Sequence, residues 1–267
     1  MLARSLMNLL YPPVCVLCHA RLVPQRTERC EEAAASDRLP DILCAECEAR
    51  LPRNTPPVCR TCGVALRGAF DAESACPTCR RRPPAFEVAR APWRYEASAR
   101  EAIRLFKYRR HRRLGWWLAE GMAQTAQRTL APEAIDLVVP TPSHWLKRRL
   151  RGFEPTAELA QTVARRLSRP YAAKALTRRR WTRSQTRLSW PQRARNVRGA
   201  FGARTRLVAQ RTILLVDDVL TSGATVEACA EALKAAGATR VLVVTAARTP
   251  WGSSLGPPAS DIGLQDA

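Results

Sequence analysis

The sequence lacks several features that would place it in a familiar class. No stretch approaches eighteen uninterrupted apolar residues, so we predict no transmembrane helix. Neither glycine-rich phosphate loop, G-x-x-x-x-G-K-[ST] or G-x-G-x-x-G, occurs, which argues against P-loop and dinucleotide-binding folds. The N-terminal apolar patch is interrupted by Asn8 and Pro12 and has no small-residue cleavage site, unlike a signal peptide. We therefore expect a cytoplasmic protein.

Acidic residues are also scarce, but only in the middle of the chain. Of the 267 residues 46% are apolar, enough for a hydrophobic core. Residues 1–85 hold 12 basic and 9 acidic side chains, residues 86–212 hold 29 and 8, and residues 213–267 hold 3 and 6. The surplus in the middle indicates an anionic partner: nucleic acid, a phosphorylated small molecule or a membrane surface. The alternative is a set of solvated arginine-rich faces.

Eight of the ten cysteines form four C-x-x-C pairs near the N-terminus. Two thiolates at this spacing can bind one metal ion from a tight turn, and two such pairs complete a tetrahedral four-thiolate zinc site. Four pairs predict two zinc sites, which we pair in sequence order, although cross-braced pairing is also compatible with the spacing. The predicted ligands are Cys15, Cys18, Cys44, Cys47, Cys59, Cys62, Cys76 and Cys79.

Haem attachment and redox catalysis are two other roles that C-x-x-C pairs can have. The first pair lies in C-V-L-C-H, which also fits a c-type haem attachment sequence, but no export signal accompanies it. A thioredoxin-like redox site would need a strand and a helix that the segment 12–57 does not suggest. His19, Cys30 and Cys229 are expected to bind no metal. Because zinc held by four thiolates has no open position, both sites should support structure rather than chemistry.

After residue 84 the pattern changes to alternating helices and strands. It predicts helices at 98–106, 114–127, 156–167 and 225–236, the last closed by Gly237, and strands at 134–139, 213–216 and 241–245. This alternation is typical of an α/β fold with a parallel sheet flanked by helices. We predict a zinc-binding module at 1–85, the α/β domain at 86–249, and a disordered tail at 250–267 that is rich in Gly, Pro and Ser.

The stretch ILLVDDVLTSGATV, residues 213–226, places two acids directly after an apolar strand. A parallel strand buried on both faces delivers the next residues to the carboxyl edge of the sheet, where ligands of open α/β folds bind. There Asp217 and Asp218 can accept hydrogen bonds from two hydroxyl groups. The loop that then enters a helix favours an anion through its N–H groups and hydroxyls. The pattern predicts a sugar-phosphate site; the alternative is a strand, turn and helix with acidic caps. The loop residues are Thr221, Ser222, Gly223, Ala224 and Thr225.

At these residues the sequence resembles the phosphoribosyltransferases, which bind 5-phosphoribosyl 1-pyrophosphate (PRPP) with an apolar strand, two acids and a Thr/Ser-Gly loop. The resemblance implies that Asp217 and Asp218 hold the ribose 2′ and 3′ hydroxyls and are the residues on which catalysis would depend. It implies that the loop from Thr221 to Thr225 holds the 5′-phosphate. It also implies a type I phosphoribosyltransferase-like sheet with a variable hood, and Mg²⁺ bound with PRPP.

Four further motifs resemble the ComF family of competence proteins, in that family's order, from about residue 6 to 248. They are L-L-Y-P-P-V-C-V-L-C at 9–18, L-F-K-Y at 105–108, V-P-T-P with R-R-L-R-G-F within 139–153, and Q-T-R-L-S-W-P-Q-R-A-R-N-V-R-G-A-F at 185–201. The resemblance implies a role in natural transformation, handling single-stranded DNA beside proteins of the uptake machinery, or in the use of DNA or other nutrients. Where the family continues R-G-F-N-Q, this chain has Glu154 and Pro155, which makes transfer chemistry less expected than PRPP binding.

The basic middle segment mixes arginines with tryptophans, a combination suited to single-stranded DNA. Guanidinium groups neutralise phosphates, and indole rings stack on unpaired bases. The competing interpretation is that these tryptophans only pack. The predicted contacts are Arg178, Arg179, Arg180, Trp181, Arg187, Arg193 and Arg195.

A second hypothesis is an active Mg²⁺-dependent phosphoribosyltransferase, whose acceptor and general base the sequence does not identify. A third joins the two, with PRPP ordering the hood and thereby modulating DNA binding. His144, the one histidine near the predicted site, is expected at the surface. The residues proposed to contact pyrophosphate are Lys107, Arg109, Lys147, Arg148 and Arg151.

Overall fold

A computed structural model describes residues 12–22, 42–66, 74–109, 111–143, 152–180 and 190–252. Its strands are β1 Val88–Arg90, β2 Trp93–Arg94, β3 Leu137–Pro140, β4 Leu176–Arg178, β5 Phe201–Ala203, β6 Thr212–Leu220 and β7 Arg240–Arg248. Its α-helices are α1 Ala45–Ala49, α2 Pro77–Arg81, α3 Ala97–Arg109, α4 Arg112–Thr129, α5 Pro155–Arg166, α6 Trp190–Val197, α7 Thr205–Val208 and α8 Ala224–Ala235, with a 3-10 turn at Pro132–Ala134.

The central sheet is parallel and has the order β1, β7, β6, β3, with the short β2 also pairing with β7. Strands β4 and β5 form a separate antiparallel pair. Chain crossovers between parallel strands require covering helices, which α4, α5 and α8 supply. The predicted α/β class, a parallel sheet flanked by helices, is confirmed.

The two faces of the sheet are buried in different cores. Along β6, Leu214 and Val216 belong to the core under α4 and α5, whereas Ile213 and Leu215 belong to the core under α8. Successive side chains of a strand point to opposite faces of the sheet, so a strand buried on both faces needs a continuous apolar run. In the first core the indole rings of Trp93 and Trp117 stack with centroids 4.5 Å apart.

The helices and strands predicted for the body of the chain are present, with ends displaced by a few residues. The main difference is β6, which continues through both acids to Leu220, whereas the prediction ended it at residue 216. Its ladder with β7 continues beyond the acids, pairing Leu220 with Arg248. Strands β1, β2, β4 and β5 and helix α6 were not predicted, because short strands and a very basic helix give weak periodic patterns.

The cysteine-bearing segments are packed onto the α/β fold on both sides of the sheet. The first contributes Cys15, Ile42 and Leu51 to the core under α4 and α5, and the second contributes Cys59 and Cys76 to the core under α8. The boundary at residue 85 stays a prediction. The predicted tail beyond Gly252 lies outside the described residues, as does Cys30. Of the helices described, none is both long and apolar enough to cross a membrane.

Candidate functional site

The acid pair lies where the sheet narrows at its carboxyl edge. Strand β3 ends at Pro140, which is in register with Val216, so on that side the sheet stops one residue before Asp217. On the other side β7 continues, and Asp217 is in register with Thr245. At the acids, β6 therefore pairs with β7 on one side only, because β3 ends before them on the other side. This agrees with the edge position expected from the sequence.

The two carboxylates have different surroundings. Asp217 is buried, and its Oδ1 accepts a hydrogen bond of 2.9 Å from the backbone N–H of Asp218. Burial, with the adjacent charge of Asp218, raises the pKa of Asp217 to about 7, although a hydrogen bond from Thr141 opposes the shift. Asp218 is more accessible, with 18% of its side chain exposed. Burial therefore makes Asp217 harder to ionise than an exposed aspartate.

Lys107, near the end of α3, supplies the positive charge beside this pair. Its Nζ lies 2.8 Å from Oδ2 of Asp218, and only 19% of its side chain is exposed. Burial would lower the pKa of Lys107, but Asp218 and Asp217 together raise it, so the ammonium stays charged. The sequence suggested Lys107 as a phosphate contact and missed its contact with the acid, because 111 residues separate them. Lys147, Arg148, Arg151 and His144 lie outside the described residues.

The loop after β6 turns sharply into α8. Gly223 has φ +81° and forms the N-cap, a left-handed conformation that glycine adopts without penalty. A side chain at this position would have no neighbour closer than Leu220 Cδ1, at 4.0 Å, so the backbone is open to close approach. Ser222 Oγ accepts from the N–H of Ala224 at 3.4 Å. The N-terminus of the twelve-residue α8 therefore lies at this loop, an arrangement that favours an anion.

Arg248, which no sequence pattern predicted, donates hydrogen bonds to the start of this loop. The residue is 5% exposed, and its Nη1 donates to the carbonyl oxygens of Leu220 at 2.8 Å and Thr221 at 2.6 Å. Its Nε donates to the carbonyl of Cys62 at 3.1 Å, and its Nη2 lies 3.7 Å from Cys62 Sγ. One planar guanidinium therefore joins the phosphate-type loop to the second cysteine cluster. No sequence motif marks it, because it ends an otherwise apolar strand.

The eight predicted zinc ligands form two clusters, paired in sequence order as expected. In each cluster the four ligand atoms lie within 4.8 Å of one another. Zinc–sulfur bonds of about 2.3 Å in a tetrahedron place sulfur atoms about 3.8 Å apart. The Cys18–Cys44 and Cys62–Cys76 sulfur distances are 3.6 and 3.7 Å. Both clusters could therefore hold zinc. The first cluster is Cys15, Cys18, Cys44 and Cys47, and the second is Cys59, Cys62, Cys76 and Cys79.

Backbone donors support the thiolate form of Cys15 and Cys59. The N–H groups of Cys62 and Cys76 lie 3.4 and 3.2 Å from Cys59 Sγ. Burial would raise the pKa of Cys15, but backbone N–H groups, including those of Cys18 and Cys44, lower it to about 6. Such donors to metal-binding sulfurs are typical of structural sites. Cys229 lies buried on α8, apart from both clusters.

The predicted DNA contacts are only partly described. Trp181 and Arg187 lie outside the described residues, and for Arg193 only the backbone is described. Arg178 is half-buried, with its guanidinium 5.2 Å from the ring centroid of Phe201. Arg180 donates to the carbonyls of Asn196 and Arg198 at the end of α6. Arg179 and Arg195 are exposed.

The unusual Glu154–Pro155 pair has a local structural role. Pro155 is the first residue of α5, a position where the missing N–H costs nothing because it would have no partner within the helix. The Glu154 carboxylate accepts a hydrogen bond of 2.8 Å from the N–H of Ser143, just after the V-P-T-P motif. Glu154 therefore connects the start of α5 to the residues that follow β3 through a hydrogen bond.

The sheet, the acid pair at its carboxyl edge and the glycine-turned loop define a domain of the phosphoribosyltransferase type, and the phosphoribosyl transferase domain family matches residues 156–254. DNA utilization protein YhgH of Escherichia coli K12 is 30% identical over 211 residues, covering 78% of this chain and 90% of the relative. Competence protein F of Haemophilus influenzae is 25% identical over 215 residues, covering 77% and 90%. The chain belongs to the ComF family of competence and DNA utilization proteins.

Among solved structures, the glutamine PRPP amidotransferase of B. subtilis, complexed with ADP and GMP, is 22% identical with a TM-score of 0.33. The match covers 55% of this chain and 26% of that one. The family assignment rests on the sequence relatives, and it confirms the resemblance drawn from the motifs.

Proposed function

We propose that this protein binds PRPP, or a closely related sugar phosphate, and handles single-stranded DNA in the cytoplasm during DNA uptake or utilization. The observation that carries the first part is the continuous arrangement of an acid pair, a left-handed glycine and a helix N-terminus along β6 and α8. Asp218 offers an accessible carboxylate to a ribose diol, and Asp217 becomes a second acceptor once it is ionised. The loop from Thr221 to Thr225 offers N–H groups to the 5′-phosphate.

Lys107 adds a reason to expect a pyrophosphate-bearing ligand. In the free protein its ammonium is paired with Asp218 at 2.8 Å. When ribose hydroxyls take over the acid's acceptor oxygens, the same ammonium can turn toward an anionic ligand without leaving the site. A Mg²⁺ ion bound to the pyrophosphate would neutralise further negative charge, a task for which one or two carboxylates and ligand phosphates suffice.

The second part of the proposal is supported by charge and by family. The chain carries a formal net charge of +21, concentrated between residues 86 and 212, and single-stranded DNA is bound largely through its phosphates. Two relatives are named for DNA utilization and for competence. Proteins of a DNA-uptake machinery are the natural partners of such a role.

Transfer chemistry is a second candidate function, and Asp217 is the observation that favours it. A carboxyl group with a pKa of about 7 can accept a proton at neutral pH, as a general base must. If this candidate is correct, a panel of nucleobases and amines should include an acceptor that releases pyrophosphate from PRPP in the presence of the protein and Mg²⁺. Failure of the whole panel would leave binding as the function.

The direct test of the PRPP site is calorimetric titration of PRPP and Mg²⁺ into the zinc-loaded protein. We expect saturable binding that is lost in the Asp217→Asn, Asp218→Asn double variant, which keeps the side-chain shapes. The matched control is Glu46→Gln, Glu133→Gln, which removes two exposed carboxylates elsewhere and should bind as the wild type does. Absence of binding by the wild type, or equal binding by the acid-pair variant, would contradict the proposed site.

A further inference from the structure

A basic groove runs between the first cysteine cluster and α3. Its volume is about 810 Å³, and four arginines line it: Arg50, Arg100, Arg104 and Arg109. Among the described residues that line the groove, Glu101 is the one acid. The side chain of Tyr108 also lines the groove and is 63% exposed, the highest value among the large hydrophobic side chains described. Such a combination of positive charge with an exposed ring calls for a ligand that is both anionic and aromatic.

The spacing along α3 arranges these side chains in a row. Arg100, Arg104 and Tyr108 are four residues apart, so they lie above one another on one face, with successive Cβ atoms about 6 Å apart. In the described part of the chain, neither Arg100, Arg104 nor Arg109 lies within 4.0 Å of a carboxylate. Among the described residues, no acid therefore competes with a phosphate for these three side chains at ion-pair distance. Arg50 pairs with Glu46, but 73% and 69% of those side chains are exposed, so a phosphate can displace the glutamate.

Helix α3 also carries a residue of the sugar-phosphate site. Lys107 follows Arg104 by three residues, and its ammonium contacts Asp218 at 2.8 Å. Lys107 is not among the residues that line the groove. The groove and the sugar-phosphate site therefore both include residues of α3.

We propose that this groove binds single-stranded DNA, with Arg100 and Arg104 on successive phosphates and Tyr108 stacked on an unpaired base. The proposal rests on the DNA-handling function proposed above and assigns it a surface other than the Arg178 to Arg195 segment. In that segment, the guanidinium of Arg178 packs on Phe201, and that of Arg180 donates to carbonyls at the end of α6. These two groups are therefore already engaged within the protein. A duplex would offer phosphates but no unpaired base for Tyr108, which makes a single strand the better fit.

The test is fluorescence anisotropy with a labelled oligo-dT of about twenty nucleotides, over a range of salt concentrations. We expect Arg100→Gln, Arg104→Gln to weaken binding about tenfold at low salt and to reduce the slope of log K against log salt by about 1.4, two phosphates at 0.7 each. The matched control, Arg128→Gln, Arg206→Gln, removes two exposed arginines outside the groove and should change both quantities much less. Tyr108→Ala should weaken binding about tenfold, whereas Tyr108→Phe, which keeps the ring, should not.

The outcomes separate this proposal from the function on which it rests. If the wild type fails to bind oligo-dT, the DNA function and the groove are both wrong. If the wild type binds but the groove and control variants are equally affected, the groove is wrong and the DNA function stands. Equal loss of affinity in Tyr108→Ala and Tyr108→Phe would overturn the stacking contact. Restoration of binding by Arg100→Lys, Arg104→Lys, with zinc content unchanged in all variants, would show that charge and not folding is responsible.

Discussion

The two cysteine clusters have the same C-x-x-C motif but different surroundings. In the first, Cys15 is buried, Cys44 and Cys47 are half-buried and Cys18 is exposed, and the cluster borders the basic groove along α3. In the second all four cysteines are buried within the core under α8, and Cys62 is bonded to Arg248. The same ligand motif can therefore lie at a surface or in a core, and its neighbours determine what a bound metal would support. We infer that the first cluster shapes a surface and the second supports the sugar-phosphate loop.

The largest expected difference is in stability. Cys62→Ser should reduce zinc to one ion per chain and lower the free energy of unfolding by about 5 kcal/mol, because it disrupts a metal site whose four ligands are all buried in the core under α8. Cys18→Ser should also leave one zinc ion but have a much smaller effect, because that side chain is exposed. Thermal unfolding with parallel zinc determination measures both. Equal losses of stability would remove the distinction between the clusters.

Arg248→Lys should have the next largest effect. Lysine keeps the charge but lacks the planar fork, so the carbonyls of Leu220 and Cys62 cannot both retain their partner. We expect a loss of about 3 kcal/mol of stability, since buried acceptors are left unpaired, and PRPP binding about tenfold weaker. Chemical denaturation and calorimetry provide the two measurements.

Strand β7 offers a matched control for this substitution. Arg240 lies at its other end, where it forms an exposed pair with Glu87 at 2.6 and 2.7 Å. Arg240→Lys should change stability by less than about 1 kcal/mol and leave PRPP binding unaltered. If both lysine variants behave alike, the link from the second cluster to the loop has no energetic importance.

The smallest expected effect is the dependence of stability on pH at Asp217 in the sugar-phosphate site. Because the pKa of Asp217 is raised from 3.8 to about 7, ionising this acid opposes folding. The penalty is absent below about pH 4, grows as pH rises, and is complete above pH 7. Asp217→Asn should therefore be more stable than the wild type at pH 8 and equal to it near pH 4. A stability difference that is constant with pH would contradict the raised pKa.

The sequence predicted the elements whose patterns are strong and missed those set by distant contacts. The apolar run of β6 and the glycine after it predicted the acid pair and the loop. The spacing of the cysteines predicted both clusters. The contact of Lys107 with Asp218 and that of Arg248 with Cys62 join residues 111 and 186 positions apart, and only the folded chain brings them together. The length of β6 was underestimated because two acids interrupt its apolar pattern, although pairing with β7 continues past them.

The most direct test of the account is titration of PRPP and Mg²⁺ into Cys18→Ser and Cys62→Ser, at a temperature where both remain folded by circular dichroism. Each variant lacks one cluster and retains the acid pair. We predict that Cys18→Ser binds PRPP as the wild type does. Cys62→Ser should bind at least tenfold more weakly, because loss of the second metal site displaces the segment whose Cys62 carbonyl accepts a hydrogen bond from Arg248. Equal affinities in the two variants would contradict the claim that the second cluster supports the sugar-phosphate site.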